Sequence, residues 1–265
     1  MDGISIGPML IRWNGLLVAL GVAIGALFAA YNTKRRNVDP EIICDLFMPV
    51  VTWGVLGARL WYVLTPSLSS LELGLTTQYY FTHLMDFVAF WIGGFGIPGA
   101  WVGGTLALLY FTRKNTLSFW ELADILAPGL ALAQAIGRLG NYFNQELYGI
   151  PTNFPLKIFI DPAHRLSGFE GVNFYLPLFA YESLANIANM LFLLWLAHRF
   201  KGIIEAGDLF LTYLGVYSII RFLLEFLRLD IALVHGFNVN QVFFALVFLC
   251  AGFSMYLHHR PVQKL

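Results

Sequence analysis

Charge is scarce in this chain. Of 265 residues, 12% are charged and 58% hydrophobic, with formal net charge zero and a mean hydropathy of +0.68. Soluble domains carry about 25% charged residues, so this composition excludes an ordinary soluble domain and points to an integral membrane protein. Cysteine is nearly absent: Cys44 and Cys250 stand alone, which excludes a disulfide framework and any cysteine-based metal spacing. They read as small hydrophobes. No basic cluster suggests a nucleic-acid partner. No His/Cys/Asp cluster at ligand spacing calls for a metal, and no organic cofactor is implied. Met1-Asp2-Gly3 lacks the basic region of a signal peptide, so the first apolar segment is expected to be an uncleaved span. There is no internal repeat, low-complexity tract or linker, which makes 1–265 a single membrane domain.

What is abundant is apolar sequence. Runs long enough to cross a bilayer fall at about 10–31, 42–64, 87–112, 119–137, 178–197, 207–227 and 239–257. The expected fold is therefore an all-α integral membrane protein of about seven transmembrane helices. Gly93, Gly94, Gly96, Pro98, Gly99, Gly103 and Gly104 crowd the third run. A regular helix tolerates such a cluster poorly, and irregular backbone at membrane depth must be buried in protein or line a wet cavity. The outward connection 140–177 is long and rich in Asn, Pro and Gly. It reads as a small extramembrane, periplasmic lobe to which 65–84 adds a second piece. Aromatics reach 16%, which suits interfacial belts.

Basic residues set the orientation. Lys34, Arg35 and Arg36 follow the first run, Arg113 and Lys114 the third, Arg199 and Lys201 the fifth, and Arg260 and Lys264 the seventh. The alternate connections 65–86 and 229–238 hold no Lys or Arg, and 140–177 holds only Lys157 and Arg165. The N-terminus is thus expected outside and the C-terminus in the cytoplasm.

Against this apolar background a few polar groups stand out. A charge at membrane depth costs about 2.5–3.5 kcal/mol on insertion scales, so each needs a use. Gly137-Arg138-Leu139-Gly140-Asn141-Tyr142-Phe143-Asn144-Gln145-Glu146-Leu147-Tyr148-Gly149 directly follows an apolar run. Arg221, Glu225 and Arg228 recur at i, i+4 and i+7 on one helical face. They form either a snorkelling ion-pair ladder or a grip for phosphate, which a planar guanidinium holds bidentately. Arg138 with Arg221 would make a two-arginine clamp for an anionic headgroup. Asn141 and Asn144 offer uncharged hydrogen bonds, and Glu146 either orients an arginine or accepts a substrate proton. Gly137, Gly140 and Gly149 suit a sharp backbone path or close approach to a ligand, or else helix packing. Asp124, Arg59 and Glu182 read as polar ties within the bundle. His83 and His235 lie on the outer side as solvated loop residues or bases.

These motifs, taken in order, resemble a family. Ser5-Ile6-Gly7-Pro8, Arg12-Trp13-x-Gly15, Gly57-Ala58-Arg59-Leu60-x-Tyr62-Val63-Leu64, Trp91-x-Gly93-Gly94 and Ala123-Asp124-x-x-Ala127-Pro128 lead into Gly137–Gly149. Pro177-x-x-x-Tyr181-Glu182-Ser183 and Arg221-Phe222-x-x-Glu225-Phe226-x-Arg228 close the set. Nearly the whole chain resembles the bacterial prolipoprotein diacylglyceryl transferases. The resemblance implies an enzyme of the cytoplasmic (inner) membrane that works in lipoprotein biosynthesis. It would take the diacylglyceryl group of phosphatidylglycerol to the lipobox cysteine thiol of a prolipoprotein signal peptide, releasing glycerol phosphate. Arg138, Arg221 and Glu146 would be catalytic. Arg138, Gly140, Asn141, Asn144, Glu225 and Arg228 would bind the lipid. The sequence departs from the family pattern where Pro98 replaces a histidine, Asn14 a tyrosine and Tyr142 a phenylalanine. With Pro98 unable to move a proton, the base is sought in Glu146, His235 or water. Two other readings are a non-catalytic phospholipid-binding paralogue and a transporter of an anionic solute or lipid, since broken glycine-rich segments and intramembrane arginines also suit transport.

Overall fold

A computed structural model describes residues 3–6, 9–36, 38–89 and 93–260. Gly7, Pro8, Trp91 and Lys264, named above, lie outside the described residues. The chain opens with an antiparallel pair, β1 (Gly3–Ile6) and β2 (Met9–Arg12), and enters α1 (Trp13–Thr33) directly. A 3-10 turn, Lys34–Arg36, extends α1. Then come α2 (Glu41–Leu64), three short helices α3 (Leu68–Glu72), α4 (Thr77–Thr82) and α5 (Leu84–Val88), and the long helices α6 (Ile97–Lys114) and α7 (Phe119–Asn144). A short hairpin, β3 (Ile158–Phe159) with β4 (Phe174–Tyr175), precedes α8 (Leu178–Arg199) and α9 (Asp208–Glu225). A last hairpin, β5 (Leu233–Val234) with β6 (Phe237–Asn238), leads into α10 (Val239–His258).

Among the described residues, five helical stretches are long and apolar enough to cross a membrane: Trp13–Arg36, Glu41–Leu64, Phe119–Asn144, Leu178–Arg199 and Val239–His258. Helices α6 and α9 have 18 residues each. Charge dilutes both: Arg113 and Lys114 end α6, and α9 carries Asp208, Arg221 and Glu225.

Two of the expected boundaries shift. The third apolar run is not one helix from 87: the short α5 ends at Val88 and the long helix α6 begins at Ile97. Gly93 and Gly94 have φ of +102° and +81°, a conformation that a helix cannot include. Helix α7 runs on to Asn144 rather than stopping at 137, so the following loop starts at 145 and not 140. Gly137 and Gly140 lie within it. At Gly140 an added Cβ would fall 2.9 Å from Asn14 Cα, so the missing side chain lets α1 and α7 touch. The helix stops when Gln145 turns left-handed at φ 51°.

Local chemistry sets the helix starts. Ser118 Oγ accepts from Glu121 N at 3.3 Å to begin α7, in the Ser-x-x-Glu pattern of a capping box. Asn238 caps α10 by accepting from Asn240 N and Gln241 N. Pro98 sits in the first turn of α6, where a proline's missing N–H costs nothing.

Small residues bring the helices together. A Cβ on Gly25 would lie 2.6 Å from Gly129 O, and one on Gly21 2.7 Å from Ala133 O. The antiparallel α1–α7 pair is thus a small-residue seam of the kind that membrane helices use. Helices α2 and α6 meet in the same way through Gly57, Gly99 and Gly103. Antiparallel contacts of α7 with α8, α8 with α9 and α9 with α10 follow from Ser183–Ala135, Glu182–Arg221 and Glu225–Asn240. The core holds Ile125, Leu193, Phe210, Tyr213, Tyr217 and Phe244. This arrangement gathers Lys34–Arg36, Arg113, Lys114 and Arg199 at one end of the bundle, while Trp13, Asn144, Leu178, Glu225 and Val239 lie at the other.

Beyond α7, residues 145–177 form their own small apolar cluster around Tyr148, Ile160 and Tyr175. Arg165 pins it by donating to Ile160 O, Glu170 O and Asn173 Oδ1. Ser167 Oγ donates to Glu72 Oε2 at 2.8 Å, tying the cluster to α3. Ser69 in the first turn of α3 is bound in turn by Asp230.

Candidate functional site

Helices α7, α8 and α9 converge on one carboxylate. Glu182, four residues into α8, is fully buried. Its Oε2 accepts from Arg221 Nη1 at 2.9 Å. Its Oε1 accepts from Tyr217 Oη at 3.0 Å and lies 2.9 Å from Arg138 Nη2. Arg221 continues the chain, donating from Nη2 to Glu225 Oε2 at 3.1 Å. Glu225 Oε1 accepts from Asn240 Nδ2 at 3.2 Å and stands 3.7 Å from Arg228 Nη1. The result is an alternating row: Arg138, Glu182, Arg221, Glu225, Arg228.

The helices explain the row. Arg221 and Glu225 are one turn apart on α9, within reach of each other. Glu182 reaches Arg221 because α8 and α9 run antiparallel. Ser183, the next residue, donates to Ala135 O on α7 at 2.8 Å and fixes the level at which Arg138 arrives. Trp101 of α6 packs on the Tyr217 ring at 4.8 Å between centroids. The segment that starts with Pro98 therefore flanks the row without donating a proton-active group.

Three guanidinium groups face two carboxylates, so one positive charge is unmatched. Side-chain exposure is 5% for Arg221, 14% for Arg138 and 22% for Arg228. The cations at the two ends are the accessible ones. Arg138 Nη2 makes no aligned hydrogen bond among the described residues. A buried guanidinium with a free donor is costly until something accepts from it.

Of the residues expected from sequence, the structure brings Arg138, Arg221, Glu225 and Arg228 together. Asn141, Asn144 and Glu146 form a second group, one to two turns further along α7. Asn144 Nδ2 donates to Glu146 Oε1 at 3.3 Å. Glu146 keeps access to solvent, yet protein atoms crowd it. That partial burial pushes its carboxyl above the usual carboxylate range. Asn144, Arg12, Asn141 and His164 act in the opposite direction. Gly140 touches Asn14, and Gly149 packs against Leu178 and Leu227. Both meet protein rather than open space.

The remaining polar groups are ties. Asp124 accepts from Gly207 N at 3.0 Å and Phe210 N at 2.9 Å, capping α9, and pairs with Arg36 at 3.4 Å. Among the described residues Arg59 donates only to carbonyls, those of Asp86, Phe87, Gly93 and Gly94, and lies over the rings of Tyr62 and Tyr80. It supplies the hydrogen bonds that the glycine-rich break cannot make for itself. His83 stacks on Tyr79, and His235 sits at φ 50° in the β5–β6 turn. Cys44 and Cys250 are unpaired and exposed on α2 and α10.

Sequence reasoning placed Glu182 as a polar tie without naming its partners, and missed Tyr217 and Asn240. A signal was present for the first. Glu182, Asn186 and Asn189 recur at i, i+4 and i+7, a buried polar face on an otherwise apolar helix.

Comparison with known proteins identifies relatives along the whole chain. The sequence model of the prolipoprotein diacylglyceryl transferase family matches residues 3–257. A protein of Trichormus variabilis is 38% identical over 90% of this chain and 82% of its own length. One of Nostoc sp. is 37% identical over 98% and 90%, and one of Gloeobacter violaceus 39% identical over 90% and 85%. Each of the three bears the name phosphatidylglycerol–prolipoprotein diacylglyceryl transferase.

Proposed function

This chain belongs to the prolipoprotein diacylglyceryl transferase family, and on that premise we propose that it transfers diacylglyceryl from phosphatidylglycerol to the lipobox cysteine of prolipoproteins. The bond that breaks joins the diacylglycerol carbon to a phosphate oxygen. The bond that forms joins that carbon to the cysteine sulfur. The thiol proton leaves, because thiolate is the nucleophile, and the product glycerol phosphate can carry it away.

The observation that carries this reading is the charge of the buried row. One unmatched positive charge fits one phosphodiester anion. As the carbon–oxygen bond breaks, negative charge grows on the departing phosphate. Fixed guanidinium groups in a dry site stabilise that charge at no cost of reorganisation. Arg138 takes that role, with Arg221 braced behind it through the shared Glu182. Arg228 and Glu225 complete the lipid site at its outer end, and Asn141 and Asn144, with Gly140 behind them, line the approach along α7. Glu146, its carboxyl raised above the usual carboxylate range by the atoms that crowd it, accepts the thiol proton in place of the group that Pro98 and Asn14 lack.

The protein acts within the bacterial cytoplasmic membrane as a single membrane domain of seven spans. Helices α6 and α9 complete the count. Eighteen residues make about 27 Å of helix, close to the hydrocarbon thickness of about 30 Å, and the charges of α9 are satisfied inside the bundle. The basic end of the bundle faces the cytoplasm. The N-terminus, the Arg138–Arg228 row and the 145–177 lobe face outward, where a prolipoprotein presents its lipobox.

The test uses purified protein in phosphatidylglycerol micelles with a lipobox-cysteine peptide. Glycerol phosphate release and the peptide's mass are followed together. Release should match a diacylglyceryl mass gain one for one. Arg138→Ala should lower turnover about 10²–10³-fold, the range for removing one donor to a developing anion. Absence of any peptide mass gain would overturn the function, and an Arg138→Ala variant with parent turnover would overturn the site.

A further inference from the structure

Glu182 is shared by both arginines, yet it treats them differently. Arg221 donates to it along an aligned bond, gives its other terminal nitrogen to Glu225, and is covered by the Phe244 ring 5.5 Å from its guanidinium carbon. Arg138 approaches the other carboxylate oxygen to 2.9 Å without an aligned hydrogen bond. That oxygen already accepts from Tyr217. One arginine is locked at both ends. The other is held by a close ion pair in which Nη2 has no aligned hydrogen bond.

We propose that Glu182 is a positioning residue for the transfer reaction: it locks Arg221 as scaffold and holds Arg138, unsaturated, where the lipid phosphate arrives. The proposal rests on the function proposed above. Its physical content is a division of labour. A guanidinium whose two terminal nitrogens are both held by carboxylates, with only Nε unpartnered, cannot turn its fork to a third anion. A guanidinium held only by an unaligned ion pair can turn its planar fork to a phosphate and bind it bidentately. Tyr217 keeps the carboxylate from turning towards Arg138 and saturating it, and Ser183, anchored on Ala135 O, keeps the start of α8 in register with α7. Glu182 touches no substrate in this scheme. It acts through the arginines.

Replacing the carboxylate separates geometry from charge. Glu182→Gln raises the positive excess of the row from one to two, so an anionic lipid should be drawn in at least as strongly. The arginines, however, lose the group that spaces them. In the micelle assay the expected result is a kcat at least tenfold lower with a KM for phosphatidylglycerol that does not rise. Glu182→Asp keeps the charge one methylene further back and should recover part of kcat at unchanged KM. If Glu182→Gln fails to fold, Glu182→Asp carries the test with the same split. A kcat within twofold of the parent in both variants would overturn the proposal. So would a KM that rises together with a falling kcat and unfolding temperature, because a merely structural role predicts that pattern. Arg138→Ala, assayed in parallel, separates the two levels. Parent turnover in Arg138→Ala removes the phosphate site itself. Loss in Arg138→Ala with none in Glu182→Gln removes only the positioning role.

Discussion

Glu182 and Arg221, thirty-nine positions apart in the chain, meet at 2.9 Å in the bundle interior. The pair is worth little as a stabilising device in itself, because taking two charges out of water offsets most of their attraction. Breaking it is another matter. Arg221→Ala would leave Glu182 and Glu225 buried with fewer partners, and loss of one member of a buried pair costs about 3–5 kcal/mol. We expect Arg221→Ala to lower the thermal unfolding temperature in detergent markedly, in addition to losing turnover. Arg138→Ala, which removes one unaligned ion pair, should leave the unfolding temperature near that of the parent. Equal destabilisation by both would contradict the scaffold-and-receiver distinction.

The acid limb of the pH–rate profile should belong to Glu146. Crowding raises its carboxyl above the ordinary 4.5. A base works only when deprotonated, so transfer should rise as pH climbs through that raised value, with a midpoint above 4.5. Glu146→Gln should remove this limb and lower the rate by about 10²–10⁴, the usual worth of a positioned base. An unchanged profile and rate in the variant would eliminate Glu146 as base and leave His235 or water.

Asp124 is expected to matter for folding and not for chemistry. It caps α9 from another helix, through Gly207 N and Phe210 N. Loss of a helix cap costs about 1–2 kcal/mol. Asp124→Ala should therefore unfold at lower temperature while its turnover per folded molecule stays at the parent value. A selective loss of kcat would show that the cytoplasmic end of α7 reaches the chemistry after all.

The α1–α7 seam gives a steric prediction. A Cβ at Gly25 would meet Gly129 O at 2.6 Å and Ala133 Cβ at 2.9 Å. Backbone cannot yield as a flexible side chain does, so Gly25→Ala should destabilise by about 1–3 kcal/mol, as overpacking does. Gly252 on α10, with nothing within 4 Å of its missing Cβ, is the control. Gly252→Ala should be neutral by the same unfolding measurement.

Much of the fold was legible because a bilayer leaves few choices. Long apolar runs become helices, and charges within them must find partners. Arg221, Glu225 and Arg228 could be placed on one face by counting, since i, i+4 and i+7 share a face whatever lies opposite. The misplaced boundaries have a common cause. Glycine breaks one helix and permits close packing in another, and the residue type does not say which. Gly93 and Gly94 take positive φ and end the helical register before α6, whereas Gly137 and Gly140 stay helical inside α7 because α1 presses against it. Helix α9 shows the converse problem. Its charges dilute its apolar character, and only the partners on α8 and α10 show that they are spent inside the bundle.

The sequence by itself determined the membrane class, the helical runs, the asymmetry of basic residues and, through its motifs, the family. Only the tertiary structure decided that Arg138 and Arg221 face one another across Glu182, that Arg59 serves carbonyls instead of a ligand, and that Glu146 stands apart from the arginine row. Periodicity records which residues share a face of one helix. It carries no information on how that helix is rotated and levelled against its neighbours. Those are set by backbone contacts at Gly25–Gly129 and Gly57–Gly99 and by the Ser183–Ala135 bond, whose partners lie far apart along the chain.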